Sequence, residues 1–139
     1  MLQYRNHRFC WGQVSIEIPD GFYWNTDVDR ALQIGVFLIS PEKDYTLDIL
    51  IYDDAASAYT ELVDTVKDFE PLSLISEITI NGFQGYQATY RTRTEQCYEA
   101  QLNIPGGTLS IVIKSNCRKI SDIIKQVDLT AIVHDPREK

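Results

Sequence analysis

From Ile78 onward, four strand-like segments follow one another with connections of only two or three residues. Ile78-Thr79-Ile80 runs into Asn81-Gly82, Tyr86 to Arg93 into Thr94-Glu95-Gln96, and Cys97 to Ile104 into Gly106-Gly107. Asn-Gly between apolar runs is the strongest short-range hairpin signal. A parallel crossover needs a dozen or more residues, so segments this close can pair only antiparallel. That excludes a doubly wound parallel fold for this half of the chain. A three-residue turn at Thr94–Gln96 sets Ala88, Tyr90 and Thr92 on one face with Tyr98, Ala100 and Leu102. Arg91 and Arg93 then share the other face with Glu99. At the next turn Ile104 pairs with Leu109, Leu102 with Ile111 and Glu99 with Lys114. This register stands Glu99 between Arg91 and Lys114 as a cross-strand charge ladder.

The first half supplies more strands and a helix. Val14, Ile16 and Ile18 alternate with Ser15 and Glu17 as a half-buried strand that ends at Pro19-Asp20-Gly21. Ala31–Ile39 and Tyr45–Tyr52 flank Pro41-Glu42-Lys43-Asp44, a hairpin pairing Leu38 with Leu47, Val36 with Ile49 and Ile34 with Ile51. Phe37, Ile39, Leu50 and Tyr52 make the reverse face apolar too, so both faces need cover. Asp53 and Asp54 offer capping oxygens for a helix with an apolar stripe of Tyr59, Leu62, Val63, Val66 and Phe69, closed by Pro71. Ile120, Ile123, Ile124 and Val127 repeat the helical spacing, with Ser115 or Asn116 as cap. The order is strand, hairpin, helix, a run of strands, helix. It predicts an α+β single domain over 1–139, with its ordered core over about 9–133 and a polar tail from His134. A central antiparallel sheet carries two amphipathic helices.

Composition narrows the function classes. The 139 residues carry 20 acidic against 13 basic side chains, a net charge of −7 that repels nucleic-acid phosphate. The charge is unevenly placed: residues 41–80 hold 10 acidic and 2 basic side chains, residues 81–120 hold 2 and 5. No stretch approaches 18 uncharged apolar residues, so no membrane span is expected. Met1 to Cys10 is polar and basic, without the apolar core of a signal peptide. Cys10, Cys97 and Cys117 are odd in number and lack CxxC spacing, which argues against a disulfide framework or a zinc site. The expected compartment is the cytoplasm, and no cofactor or metal is expected.

Catalytic motifs are scarce. HExxH, GxSxG, GxGxxG and Walker patterns are absent, and the two histidines, His7 and His134, sit near the chain ends. Two readings of function follow. The first is a non-catalytic binding or adaptor domain, or a dedicated chaperone. Its candidate docking stripe is Glu61, Asp64 and Asp68, set opposite the apolar side of the first helix and suited to a basic protein partner. The alternative is a thiol-dependent enzyme or redox sensor using Cys117. That thiol is expected in the first turn of the last helix beside Arg118 and Lys119, features that favour thiolate.

Two segments carry a family resemblance. The opening Val14-Ser15-Ile16-Glu17-Ile18-Pro19-Asp20-Gly21-Phe22 reads as strand, Pro, any residue, Gly, aromatic. Ile80-Asn81-Gly82-Phe83-Gln84-Gly85-Tyr86-Gln87-Ala88-Thr89-Tyr90 reads as a strand pair with its Gly and Tyr positions. With the element order, they resemble the PsbP-like fold of the extrinsic photosystem II protein, the Ran-binding Mog-type proteins and bacterial DcrB-like domains. The resemblance spans roughly positions 9 to 133 and carries no functional residues across. It implies an antiparallel sheet with helices on both faces and a non-enzymatic binding role.

Overall fold

The structure is a computed structural model that describes residues 3–5, 8–11, 14–24, 34–52, 57–70 and 74–134. It is an α+β fold built on antiparallel sheet. The elements run β1 (Gln3–Arg5), β2 (Arg8–Trp11), β3 (Val14–Glu17), β4 (Tyr23–Trp24), β5 (Ile34–Ile39), β6 (Thr46–Tyr52) and α1 (Ala58–Val66). There follow β7 (Ser76–Ile80), β8 (Phe83–Arg91), β9 (Gln96–Ile104), β10 (Gly107–Ser115), α2 (Ile120–Gln126), α3 (Leu129–Ile132) and β11 (Val133–His134). The strands form a seven-stranded sheet in the order β4-β5-β6-β10-β9-β8-β7 and a four-stranded sheet in the order β1-β2-β3-β11. Among the described residues the expected antiparallel sheet and two helices are joined by a second, smaller sheet and by a third helix. β1, β2 and β11 are short, and α3 is a single turn after Asp128.

The β5–β6 hairpin takes the expected register, Leu38 opposite Leu47, Val36 opposite Ile49 and Ile34 opposite Ile51. Asn81 and Gly82 form the two-residue β7–β8 turn, both left-handed at φ 48° and 90°. That is the geometry for which Asn-Gly is selected. The Asn81 side chain also reaches across the fold. Its Nδ2 donates to the carbonyls of Thr130 and Val133 at 2.7 and 2.8 Å, fastening the hairpin to the α3–β11 segment.

Two registers differ from expectation. The β9–β10 turn is Pro105-Gly106, so Leu109 pairs with Leu102, Ile111 with Ala100 and Val112 with Glu99. This slip is by two residues and leaves every side chain on its expected face. The β8–β9 connection is four residues, Thr92 to Glu95, and its slip is odd: Arg91 pairs with Gln96, Tyr90 with Cys97 and Ala88 with Glu99. An odd slip turns one strand over relative to its neighbour. Glu99 is therefore not in a ladder with Arg91. It lies 4% exposed among Ala88, Tyr90 and Val112. The loop is closed by Thr92, whose Oγ1 accepts from the amides of Thr94 and Glu95 at 3.4 and 3.1 Å.

Each face of the large sheet has its own core. One face presents Val36, Leu38, Leu47, Ile49, Leu102, Leu109, Ile111 and Ile113 toward Val14 and Ile16 of the small sheet and Ile120, Ile123 and Ile132 of the C-terminal helices. The other face meets α1, where Leu62 and Val66 close over Ala88, Tyr90 and Cys97. Helices thus cover both faces. A fully buried aliphatic side chain contributes about 1.5–3 kcal/mol of transfer free energy, and several of these are fully buried.

Candidate docking surface and polar sites

Helix α1 begins at Ser57, whose Oγ accepts from the Thr60 amide at 3.4 Å. The expected caps Asp53 and Asp54, and the stop at Pro71, lie outside the described residues. A second tie comes from the sheet, where Asn103 Oδ1 accepts from the Ala58 amide at 3.0 Å. The buried line of the helix is Ala58, Leu62 and Val66, four residues apart. That choice rotates the expected stripe. Val63 is half-buried, while Tyr59 and Phe69 move to the flanks at 44% and 47% exposure. Their rings still rest on the sheet. Tyr59 meets Tyr86 edge-on at 5.0 Å between centroids, and Phe69 stacks on Tyr90 at 5.4 Å. Tyr86 and Tyr90 are four residues apart on β8, so the two aromatic contacts bracket the helix like bookends.

The three acidic residues of the expected stripe take different places. Asp64 is exposed and pairs with Lys67 at 3.5 Å, and Asp68 is exposed in the turn after the helix. Glu61 is half-buried, and burial first, then the charges of Glu99 and Glu61, raise the pKa of the nearby Tyr52. The outer surface of α1 is thus carried by Asp64 and Asp68, with aromatic rings at either end.

Beneath α1 the sheet carries a band of polar side chains that the sequence register concealed. Glu99 Oε1 accepts from the Tyr90 hydroxyl at 3.3 Å, and its Oε2 accepts from Gln101 Nε2 at 2.8 Å. The same Nε2 donates to Ser110 Oγ at 2.9 Å. Burial raises the pKa of Glu99, and the bonds from Gln101, Thr65 and Tyr90 pull it back. Asp48 lies on the same face, two strands away across Val112. Burial pushes it up to about 6, against the opposing pull of Lys114. Asp48 Oδ1 and Gln101 Oε1 are buried acceptors with no donor. Such orphan acceptors cost about 1–3 kcal/mol each.

Cys117 does not sit in a helix. It is exposed in the bend between β10 and α2, and the helix starts three residues later at Ile120. Ser115 caps this bend instead of the helix. Its Oγ accepts from the Cys117 and Arg118 amides at 3.3 and 3.0 Å and donates to the Asp44 carbonyl at 2.7 Å. The first amide of α2 is satisfied by Gln96 Oε1 at 3.0 Å. The Cys117 sulfur faces the Asp44 carbonyl at 3.5 Å and Ser115 Oγ at 3.8 Å, neither of which takes a proton from a thiol. Arg118 is committed elsewhere, through Nη1 to Asp44 Oδ2 at 3.1 Å and to Gln126 Oε1 at 3.0 Å. The Ser40 hydroxyl bond, first, and Arg118 hold the Asp44 carboxyl below its ordinary range.

His134 stands 3.6 Å from Glu17 and 2.8 Å from the Ala131 carbonyl, and His7 lies outside the described residues. Among the described residues no group of three or more His, Cys, Asp or Glu side chains is placed to hold a metal ion, and no helix is long and apolar enough to cross a membrane. No protein-family model matches the chain, and a search of curated protein sequences returns no match to it.

Proposed function

We propose that this domain is a non-catalytic protein-binding module that docks a basic partner on the outer face of α1. The observation that carries the reading is the conjunction of exposed rings and carboxylates on one short segment. Of the described large apolar side chains that are exposed, Tyr59, Phe69 and Leu74 lie within 58–74, and Asp64 and Asp68 lie between the two rings. Rigid aromatic side chains are the usual anchors of protein interfaces. A local excess of one charge steers the complementary partner and fixes its orientation. The resemblance to the PsbP-like fold supports a binding role, and the free thiols of Cys97 and Cys117 suit a reducing cytoplasm.

The test is a charge reversal. Asp64→Lys with Asp68→Lys leaves the buried line of α1 untouched, and Glu61 is left in place because it is half-buried. Affinity capture from the native cell, quantified by mass spectrometry, identifies the partner held by the wild type. The double variant should lose about tenfold or more of that partner at low salt, with circular dichroism unchanged. Equal capture by both proteins would remove α1 as the docking face.

A further inference from the structure

The end of the molecule where α1 finishes carries both signs of charge around one aromatic ring. Asp64 stands on α1 and Asp68 in the turn after it, both exposed. Phe69 comes next, 47% exposed and stacked on Tyr90. Arg91 follows Tyr90 at the end of β8, and Arg93 stands in the β8–β9 connection, both exposed. The ring therefore lies between a pair of carboxylates and a pair of guanidiniums. Beside it runs a groove of about 300 Å³, bordered by Glu70, Tyr90, Arg91 and Gln96 among others.

The two halves do not neutralise each other within the molecule. Among the described residues Asp68, Arg91 and Arg93 make no ion pair. Asp64 reaches Lys67, one turn on, at 3.5 Å, an exposed contact of the kind that contributes little. Glu70 and Arg91 border one groove without pairing. Residues 61–70 hold four acidic side chains and one basic, while residues 91–95 hold two basic and one acidic. The acidic half is thus acidic in spite of Lys67, and the basic half is basic in spite of Glu95.

A surface with opposite charges on either side of an apolar centre contains its own complement. Turned about a twofold axis through the ring, the acidic half of one copy meets the basic half of another, and the same contact forms twice. A uniformly basic partner would fill only the acidic half and would set Arg91 and Arg93 against like charge. We infer that a second copy of this chain docks here, with Asp64 and Asp68 of each copy against Arg91 and Arg93 of the other and the two Phe69 rings at the centre. The inference rests on the reading of α1 as a docking face and names its partner. The net charge of −7 on each copy opposes approach at long range. At 0.15 M salt the screening length is about 8 Å, so the contact pairs outlast that general repulsion. One helix end and one turn make a small contact, which belongs with the weak and reversible interfaces that bury less than about 1,200 Å².

Sedimentation equilibrium of the full chain at about 0.15 M salt, from about 10 μM to about 1 mM, reads the association. The average mass of the wild type should rise with concentration from one chain toward two. Asp64→Lys with Asp68→Lys leaves both halves basic, and Arg91→Glu with Arg93→Glu leaves both acidic. Each double variant alone should associate about tenfold or more weakly. An equimolar mixture of the two should recover association, because each then offers the charge the other lacks. All four side chains are exposed, so both variants keep the fold, which circular dichroism verifies. A wild type that stays a single chain throughout, variants that associate as the wild type does, or a mixture that recovers nothing would each overturn the second copy as partner. The outcomes also separate this inference from the reading beneath it. A single-chain wild type whose cellular partner is still lost with Asp64→Lys and Asp68→Lys keeps α1 as the docking face and gives it to another protein. Association lost only with the arginine variant would remove α1 from the contact altogether.

Discussion

Asp48 carries the sharpest quantitative prediction. It sits on β6 between Phe37 and Val112, with Oδ1 buried and unpaired, and burial raises its pKa from 3.8 to about 6. The native state therefore holds the proton more tightly than the unfolded chain. For an acid with a raised pKa the associated stability is complete below about pH 4. It is lost progressively as pH rises toward 6 and is gone above it. A difference of about two units at ~1.36 kcal/mol each makes this loss about 3 kcal/mol. Asp48→Asn keeps the shape and cannot ionise, so it should be nearly neutral near pH 4 and stabilising by about 2–3 kcal/mol near pH 7.5. Urea unfolding followed by circular dichroism at several pH values measures the difference directly. Glu99 contributes in the same direction, but it is present in both proteins and cancels. A stability difference that is flat with pH, or one that turns against the variant at neutral pH, would refute the argument.

Three further outcomes follow from the packing. In the native protein iodoacetamide should modify Cys117 and spare Cys97, which is fully buried beneath α1 beside Tyr90; peptide mapping after short exposure resolves the two sites. Gly85→Ala should cost about 1–3 kcal/mol or more, because an added Cβ would lie 1.9 Å from the Gln101 carbonyl oxygen, and only a backbone shift relieves that contact; thermal unfolding measures it. Leu62→Ala should cost about 2–5 kcal/mol through the cavity left between α1 and Ala88, and hydrogen exchange should then rise first in residues 58–66.

Legibility in the sequence followed how locally each register was specified. The β5–β6 pairing could be read because apolar residues alternate on both strands, leaving one pairing that matches them throughout. Asn81-Gly82 could be read because its backbone geometry demands those residue types. The β8–β9 turn has neither device. Its closing bonds come from a threonine hydroxyl, and Thr92-Arg93-Thr94-Glu95 carries no glycine or proline to mark it. That one unmarked turn hid the buried carboxylate, since an odd slip is what separates an exposed Glu99 from one beneath a helix. The acidic run of this segment was legible in composition, but the split between exposed Asp64 and Asp68 and half-buried Glu61 depends on α1 burying the line Ala58, Leu62 and Val66.

Asn81 links the protein's chemical ageing to its architecture. Asparagine followed by glycine is the sequence context most prone to succinimide formation, in which the Gly82 amide nitrogen attacks the side-chain carbonyl and ammonia leaves. Hydrolysis then leaves an aspartyl or isoaspartyl carboxylate where a donor had bridged two carbonyl oxygens. The product would present negative charge to the Thr130 and Val133 carbonyls, and the fastening between the hairpin and the C-terminal segment would become a repulsion. The tightness of the turn slows the reaction only while the turn is folded. Each transient opening of the β7–β8 hairpin therefore exposes Asn81 to this reaction, and its product would hold α3 and β11 by their core packing and the β3 pairing alone.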